Sequence, residues 1–285
     1  MNMALELQNV VKNFTQFQLD HISFQLPQGY IMGLVGRNGA GKTTTIKLIL
    51  ELLKKDSGMI RVFGKELKED DIAMKQDIAV VLDELFFVED WKLSEVEAAI
   101  APFYTRWDSD CYHQYLKRFE LPTHQKVKNL SKGMKMKLML AVALSHQAKL
   151  LILDEPTSGL DPVARDELLD ILMQYIEDEE HSILFSTHIT SDLEKIADVL
   201  TIMDDGKIFY SGLKEDLKET YGIVKGGLED LNEELKAHLI GIQKTSVGFT
   251  ALFPMTDIGC FHEGLVCEEA SVDDILIHIA KEERR

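Results

Sequence analysis

The chain has 285 residues, of which 45% are hydrophobic and 28% charged, a composition typical of a folded protein rather than a disordered one. Its formal net charge of −17 disfavours nucleic acid as the main partner, because phosphate neutralisation requires clustered lysine and arginine. Cys111, Cys260 and Cys267 lack C-x-x-C spacing, which indicates neither a disulfide framework nor a four-thiolate zinc site. Buried free thiols in a reducing compartment are the expected state.

The length allows one large domain, or a large domain with a small one, at roughly 100–200 residues per domain. No stretch reaches the roughly 18–20 uncharged residues that a membrane-spanning helix needs. The first residues include Glu6 rather than the apolar run of a signal peptide. We therefore expect a soluble chain, so that any membrane role would require a partner.

The N-terminal part of the chain predicts three strands and a helix. Residues 5–11, 19–26 and 30–35 are short β-type runs separated by turn signals. The third run is apolar on both faces, as in a buried central strand, and leads directly into a glycine-rich loop. Apolar residues at helical spacing then predict a helix over 44–53.

The middle of the chain changes to helical spacing throughout residues 91–148, after a predicted strand over 78–82, which indicates an all-helical insertion. Alternation then resumes, with a helix over 166–176 and strands over 150–153, 182–186, 199–204 and 207–210. Strands separated by helices predict an α/β fold with a parallel or mixed sheet covered on both faces.

The segment from Ser211 onward carries a net charge of −7 and predicts a small appended α/β unit. Strand-like runs cover 249–253 and 265–267, and the capping pattern Ser271-x-x-Asp274 opens a last helix. An apolar stripe precedes them at Leu228, Leu231, Leu235 and Leu239. The unit either has a dimer-contact or regulatory role or only covers the main domain, since capped amphipathic helices are common structural devices.

The first chemical motif is a phosphate-binding loop between the third strand and the first helix. The sequence Gly-Arg-Asn-Gly-Ala-Gly-Lys-Thr fits G-x-x-x-x-G-K-[ST] in the strand–loop–helix setting that the motif requires. Glycines let the backbone wrap a phosphate chain, the lysine reaches the terminal phosphates, and the threonine hydroxyl binds Mg²⁺. The candidate nucleotide-binding residues are Gly36, Arg37, Asn38, Gly39, Ala40, Gly41, Lys42, Thr43 and Thr44.

The second motif is a pair of acids at the end of the predicted strand 150–153. Asp154 stands where phosphate-loop enzymes hold Mg²⁺, together with Thr43. Glu155 follows it and is a candidate for orienting or deprotonating the attacking water. Two acids alone would be a weak signal, but beside a phosphate loop they predict a nucleotide-hydrolysis site with Mg²⁺ as a ligand.

Three further motifs stand in order around these two. Leu130-Ser131-Lys132-Gly133-Met134 opens a helix and resembles the LSGGQ signature of ABC transporter ATPases. Ser158-Gly159-Leu160-Asp161 resembles the D-loop of that family, and His188 ends a strand where its switch histidine belongs. The resemblance covers about residues 3–212, in the family's order and spacing, and the chain is similar to the subunits of ABC-2-type exporters.

The resemblance implies a phosphate-loop NTPase fold of the ABC type, with a mixed core sheet, an antiparallel β subdomain and a helical subdomain at about 85–148. It assigns residues 1–212 to the ATPase domain and 213–285 to a C-terminal accessory or dimer-contact α/β unit. It also implies an ATPase subunit at the cytoplasmic face of the cell membrane that drives transport through a separate transmembrane permease.

The resemblance further implies a head-to-tail dimer, with a homodimer favoured, that holds two ATP molecules between its chains. Each ATP would contact the phosphate loop of one chain and Ser131 and Gly133 of the other. Glu155 and His188 would be the catalytic residues, and Asp161 would reach across the dimer. A second helix start adds N–H donors at the γ-phosphate, so ATP would stabilise the closed dimer and hydrolysis would release it.

Phe14 and Asp83 complete the expected site. Phe14 matches the aromatic residue that stacks on adenine in relatives, and the alternative is a core phenylalanine. Asp83 stands in place of the Q-loop glutamine and is a candidate Mg²⁺ ligand, because a carboxylate is as suitable a hard oxygen ligand as an amide. Lys132 and Met134 replace a glycine and the glutamine of the signature, and Lys132 adds positive charge near an anion.

The residues after Asp83 suggest a docking surface. Leu85, Phe86, Phe87 and Trp91 form an apolar cluster rimmed by acids, which would suit a helix from the permease. The alternative is a buried hinge.

Other functions remain in view. A soluble ABC ATPase acting on ribosomes or DNA is disfavoured by the single phosphate loop and the negative charge. A non-hydrolytic scaffold is disfavoured by the presence of Glu155 and His188. The resemblance favours export, including export of antimicrobial or amphipathic peptides, with import as the alternative.

Overall fold

The structure is a computed structural model that describes residues 2–66, 71–83, 86–262 and 264–281, except for the side chain of Lys218. Leu85, part of the expected docking cluster, lies outside the described residues. In chain order the described strands are β1 (Met3–Asn13), β2 (Gln18–Pro27), β3 (Ile31–Gly36), β4 (Ser57–Val62), β5 (Lys65–Glu66), β6 (Ile78–Val81), β7 (Leu150–Asp154), β8 (Ser182–Thr187), β9 (Val199–Asp204), β10 (Lys207–Leu213), β11 (Tyr221–Gly226), β12 (Ile240–Lys244), β13 (Phe249–Pro254) and β14 (Val266–Glu269).

The described α-helices are α1 (Lys42–Ile49), α2 (Ile72–Lys75), α3 (Leu93–Ile100), α4 (Ser109–Arg118), α5 (Lys132–Leu144), α6 (Pro162–Tyr175), α7 (Thr190–Ile196), α8 (Lys214–Thr220), α9 (Glu233–Lys236) and α10 (Val272–Ile279). None of the helices in the described ranges is both long and apolar enough to cross a bilayer.

The central element is a six-stranded sheet with the order β10-β9-β3-β8-β7-β6. Neighbouring strands are parallel, except that β10 pairs with β9 in the antiparallel sense. Every residue of β3 and β8 is buried, which confirms the prediction of a buried central strand before the glycine-rich loop. Because the carboxyl ends of parallel strands meet at one edge, the residues that follow β3, β7 and β8 come together there.

An antiparallel sheet with the order β2-β1-β4-β5 lies at the N-terminal side of the chain. It confirms the two strands predicted over 5–11 and 19–26, and β1 and β2 extend beyond both ranges. The sequence pattern predicts neither β4 nor β5. In β4 only Ile60 and Val62 are buried, and two alternating apolar residues are too few to indicate a strand.

Helices α3, α4 and α5 lie between β6 and β7, which confirms the helical spacing predicted there. Tyr112 of α4 is fully buried, and its hydroxyl donates to the Leu93 carbonyl of α3 at 3.1 Å. Burial raises the pKa of the Tyr112 phenol further above neutral pH, so this hydrogen-bond donor is retained in alkaline solution as well.

The C-terminal part forms a third sheet, entirely antiparallel, with the order β12-β13-β11-β14. The strand predictions at 249–253 and 265–267 correspond to β13 and β14, and β11 and β12 have no sequence prediction. The leucine stripe is not one helix. Asn232 accepts a hydrogen bond from the Leu235 N–H and caps the short helix α9, so the chain turns in the middle of the stripe.

The last helix, α10, joins this C-terminal unit to the central sheet. Its predicted cap is confirmed, because Ser271 and Asp274 form a reciprocal capping box. Ile275 and Ile279 on its buried face belong to the same apolar core as Leu193 of α7. The other face of the third sheet has a small core of its own, built from Val224, Leu235, Phe249, Ala251, Phe253 and Leu265.

The prediction of buried thiols is wrong. All three cysteines are free, but Cys260 and Cys267 are exposed and Cys111 is half-buried. Cys267 lies on β14, which is an edge strand of the third sheet with every residue exposed, and Cys260 lies in a 3₁₀ turn. Strand-like composition could not show that this strand has no covering layer.

A buried carboxylate holds the two helices that follow the strands β7 and β8. Asp192 of α7 is 1% exposed, accepts a hydrogen bond from Thr157 Oγ1 at 2.7 Å, and pairs with Arg165 Nε of α6. Arg165 also donates to Ser191 Oγ at 2.7 Å. The segment after β7 is thereby fixed against the start of α7.

We expect Asp192→Ala to lower the free energy of unfolding by about 3 kcal/mol, because it leaves the Arg165 guanidinium without its buried partner. The matched control is Asp166→Ala, since Asp166 is 68% exposed and its ion pair, with Lys195, lies at the surface. Its loss should cost less than about 1 kcal/mol. Urea unfolding of both variants compares them, and equal costs would contradict this account of the Asp192 network.

Candidate functional site

The glycine-rich loop leaves the end of β3 and enters α1 with a backbone suited to bind an anion. Gly41 caps α1 with a φ of 110°, and a Cβ there would lie 2.5 Å from Leu19 Cδ2. Only glycine satisfies both conditions. No side chain caps α1, so its first N–H groups are left for an external acceptor.

The predicted loop residues divide by exposure. Arg37, Asn38, Gly39 and Thr43 are exposed, Thr44 is half-buried, and Gly36, Ala40, Gly41 and Lys42 are buried. The loop therefore presents an open rim over a buried lysine.

Lys42 lies beneath this rim with only 6% of its side chain exposed. Its ammonium donates to the carbonyl oxygen of Gly36 at 2.8 Å and to that of Arg37 at 3.4 Å. Its third neighbour is Glu155 Oε1, at 3.3 Å. A buried ammonium requires anionic compensation, and a phosphate group could supply it in place of Glu155.

Thr43 and Asp154 lie together at the start of the helix. Thr43 Oγ1 donates to Asp154 Oδ2 at 2.8 Å, and Ser186 Oγ donates to Asp154 Oδ1 at 2.5 Å. Asp154 is buried, and each oxygen of its carboxylate accepts a hydrogen bond from a hydroxyl group. A hydroxyl and a carboxylate are hard oxygen ligands that fit Mg²⁺, which takes its remaining ligands from water and phosphate.

No cluster of three or more His, Cys, Asp or Glu side chains in the described ranges could hold a metal ion by itself. Thr43 and Asp154 supply two hard oxygen donors, a set that suits Mg²⁺ bound to a nucleotide.

Glu155 lies between the phosphate loop and the predicted switch histidine. Its backbone φ is 53°, in the left-handed region, which is uncommon for a residue other than glycine and costs of order 1–3 kcal/mol. Its N–H donates to the Ser186 carbonyl at 3.0 Å, which holds this conformation. The carboxylate then lies with Oε2 2.7 Å from His188 Nδ1.

The signature-like segment lies at the start of α5. Ser131 Oγ accepts a hydrogen bond from the Met134 N–H at 3.2 Å and caps the helix. Gly133 faces the D-loop-like segment of the same chain, where a Cβ would lie 3.2 Å from Leu160 Cδ2. Within the described residues, no hydrogen bond links positions 131–133 to the phosphate loop.

Asp83 pairs with Lys132 rather than with the candidate metal ligands. Their Oδ1 and Nζ atoms are 2.8 Å apart, and both side chains are 54% exposed. The residue in the position of the Q-loop glutamine is thus joined to the lysine that replaces a signature glycine. As an exposed pair it contributes little to stability.

Asp161 caps α6 by accepting hydrogen bonds from the N–H groups of Val163 and Ala164, both at 3.0 Å. The Ala164 N–H contributes most to holding the pKa of the Asp161 carboxyl below its ordinary value. The Asp161 carboxylate is exposed, but it already accepts hydrogen bonds from the first N–H groups of its own helix.

Phe14 lies in the turn between β1 and β2 and is 44% exposed, which argues against a core position. Its ring centroid is 6.2 Å from that of Phe17, and Lys12 Nζ lies 5.9 Å from the ring. Phe17 contacts the position that a Cβ on Gly41 would take. The exposed Phe14 ring therefore lies beside Phe17, which in turn lies next to the phosphate loop at Gly41.

The described residues of the expected docking cluster differ in exposure and do not form one exposed surface. Phe86 is 67% exposed, whereas Phe87 and Trp91 are half-buried against the main core. The exposed Phe86 fits the interpretation as a docking surface, whereas Phe87 and Trp91 fit the interpretation as a buried hinge.

Sequence reasoning did not identify Ser186 or Asp192 as parts of the site. Ser186 holds Asp154 and the Glu155 backbone, and Asp192 fixes the helix after His188. The available signal for Ser186 is a hydroxyl within an otherwise apolar buried strand, which needs a partner when it is buried. Asp192 lies in a helix of mixed polar and apolar residues, where no local pattern marks it.

Comparison with known proteins agrees with this geometry. The family model for the ABC transporter matches residues 19–158. The bacitracin transport ATP-binding protein BcrA of Bacillus licheniformis is 32% identical over 212 residues, which are 73% of this chain and 69% of BcrA. The chain belongs to the ABC transporter ATP-binding family.

Two further relatives extend the comparison. The ABC transporter ATP-binding protein YtrB of Bacillus subtilis is 29% identical over 241 residues, or 84% of this chain and 82% of YtrB. The dimeric structure of the ATP-binding cassette MJ0796 bound to ADP and Pi has a TM-score of 0.66 at 21% identity, covering 73% of this chain and 98% of that one. The latter shows the fold, so the predicted ABC-type α/β architecture is confirmed.

Membership of the family makes this ABC subunit an ATP-hydrolysing enzyme that binds ATP and ADP. The family resemblance inferred from the sequence motifs is therefore confirmed. The roles of individual residues in the ABC site remain predictions.

We expect Phe14→Ala to raise the KM of this ABC ATPase for ATP about tenfold, because stacking on a base contributes about 1–3 kcal/mol. Phe14→Trp should keep the wild-type value, since it retains a ring. Steady-state hydrolysis measures both. If Phe14→Ala binds ATP as well as the wild type, another group holds the adenine.

Proposed function

We propose that this chain hydrolyses ATP to drive export, through a separate transmembrane permease, of antimicrobial or amphipathic peptides. The observation that carries the hydrolytic part is the continuous contact from Lys42 through Glu155 to His188 beneath one phosphate loop. Support for export comes from BcrA, whose name refers to bacitracin transport. A second relative is named the linearmycin resistance ATP-binding protein LnrL of Bacillus subtilis.

The first step would be the capture of the nucleotide phosphates. The free N–H groups of α1 and the ammonium of Lys42 would bind them, and the buried ammonium would exchange its contact with Glu155 for one with phosphate. Thr43 and Asp154 would hold Mg²⁺, which supplies charge neutralisation of the phosphates, and Asp83 would join them only after leaving its ion pair with Lys132. Phe14 would stack on the adenine.

The second step would be attack by water on the γ-phosphorus. Glu155, released from Lys42, would accept the hydrogen bond of the attacking water and take its proton as the bond to the β-phosphate oxygen breaks. His188 would hold Glu155 and the γ-phosphate through its two ring nitrogens. Positioning of this kind is the main source of catalysis in phosphoryl transfer.

The complete site would need a second subunit, most simply another copy of this chain. Within the described residues Ser131 and Gly133 at the start of α5 form no hydrogen bond with the phosphate loop of their own chain, and they would serve the ATP of the partner. Asp161 would contact the partner after leaving its cap on α6. The relative MJ0796 is described as dimeric with ADP and Pi bound, which supports this arrangement.

We propose the same division of the chain that the sequence suggests. Residues 1–212 would form the ATPase domain, with a helical subdomain at about 85–148, and 213–285 would form the accessory unit. The exposed Phe86 beside the helical region would meet the permease at the cytoplasmic face of the membrane.

Replacement of Glu155 by Gln tests the hydrolytic mechanism. We expect Glu155→Gln to lower kcat at least about 100-fold, because a general base contributes typically 10²–10⁴-fold. ATP should still bind and should hold the variant as a dimer in size-exclusion chromatography.

The matched control is Glu179→Gln, since Glu179 is exposed and also has a left-handed φ of 59°. It should hydrolyse ATP as the wild type does. Unaltered turnover in Glu155→Gln would show that another group handles the water.

Transport is tested in cells that lack this chain. We expect their tolerance of bacitracin or related amphipathic peptides to fall severalfold, because Glu155-dependent hydrolysis no longer drives export. The wild-type chain and Glu179→Gln should restore tolerance, and Glu155→Gln should not. Growth inhibition measures this, and unchanged tolerance with an active ATPase would reject the export of these peptides while leaving hydrolysis in place.

A further inference from the structure

The helix that follows His188 is held from two sides. On one side, Asp192 and Ser191 of α7 bind Arg165 of α6. On the other side, the preceding residue, Thr190, faces the C-terminal unit. Only Ile189 separates His188 from Thr190, so the position of α7 determines where the His188 ring meets Glu155.

The contact on the second side is a short hydrogen bond to α10. Thr190 is buried, and its hydroxyl donates to Asp273 Oδ1 at 2.6 Å. Asp273 is not needed to cap its own helix, because Ser271 and Asp274 already form the capping box there. The Asp273 carboxylate is therefore available for α7.

Apolar packing continues the same contact. Val272, Ile275 and Ile279 on the buried face of α10 share one core with Leu193 and Ile196 of α7. The helix cannot shift along α7 without breaking both the hydrogen bond and this packing.

The other end of α10 reaches the phosphate loop. Arg37 Nη1 donates to the carbonyl oxygen of Ala280 at 3.4 Å, which is the C-cap of α10. The last carbonyl groups of a helix lack partners inside it, and a guanidinium is a favourable donor for them. An eight-residue helix spans about 12 Å, so α10 connects the switch segment with the phosphate loop directly.

We propose that Asp273 is a positioning residue for His188 and that α10 is the brace through which the C-terminal unit sets the geometry of the ATP site. Asp273 acts through Thr190 and α7, not on ATP itself. This inference rests on the proposed hydrolytic role of His188. It gives the C-terminal unit a function in catalysis that a mere cover would not have.

The test removes the hydrogen bond from either end in the full-length protein. Thr190→Val keeps the shape of the side chain and loses the hydroxyl that donates, and Asp273→Ala removes the carboxylate that accepts. We expect each to lower kcat for ATP about three- to tenfold, the range of one hydrogen bond, with KM within about twofold of the wild-type value. Thr190→Ser restores the hydroxyl and should restore kcat.

The double variant Thr190→Val/Asp273→Ala should be no slower than the slower single variant, because both changes remove the same hydrogen bond. Asp257→Ala is the matched control, since this acid pairs with His238 inside the C-terminal unit. It should leave kcat unchanged even where it lowers the melting temperature.

The results separate the inference from the function on which it rests. Wild-type activity that is lost in Glu155→Gln, together with unchanged kcat in Thr190→Val and Asp273→Ala, would overturn the brace and keep the ATPase mechanism. A Thr190→Ser variant as slow as Thr190→Val would likewise overturn it, as would losses that multiply in the double variant.

Discussion

The buried ammonium of Lys42 is the interaction on which the site depends. Two backbone carbonyl groups and Glu155 surround it, so the positive charge is compensated although almost no water reaches it. Glu155 in turn lies beside His188, and its backbone is held by Ser186. In the proposed mechanism, a phosphate group that enters the loop would compete for the ammonium, and this competition would couple nucleotide binding to the release of the carboxylate that acts on water.

The parallel sheet makes this arrangement possible. β3, β7 and β8 are neighbours in the order that places the phosphate loop, the Asp154–Glu155 pair and His188 at one edge. Each functional group follows the end of a buried strand, where the main chain is fixed by pairing on both sides and by packing on both faces. The helices α6 and α7 then keep the two loops in place through the buried Asp192.

The acidic C-terminal unit belongs to this framework, because its helix α10 contacts both the main core and the site. Its sheet has a small core of its own, but α10 shares the main core and hydrogen-bonds to Thr190 and Arg37. The net charge of the chain says little about its ligand, because the phosphates would be bound by a few local donors in a protein of negative charge. Long-range attraction is not required where helix N–H groups and one lysine supply the contacts.

The sequence by itself determined the features whose chemistry is local. The glycine-rich loop, the strand that ends in two acids and the capping box of Ser271 are short patterns in which spacing alone sets the geometry.

Only the tertiary structure decided which distant side chains meet. Asp83 pairs with Lys132, Thr190 binds Asp273 across 83 positions, and Arg37 reaches Ala280 across 243. No local pattern encodes such pairs, because each depends on how sheets and helices pack against one another. The same reason explains why the exposure of Cys267 and the break in the leucine stripe escaped prediction.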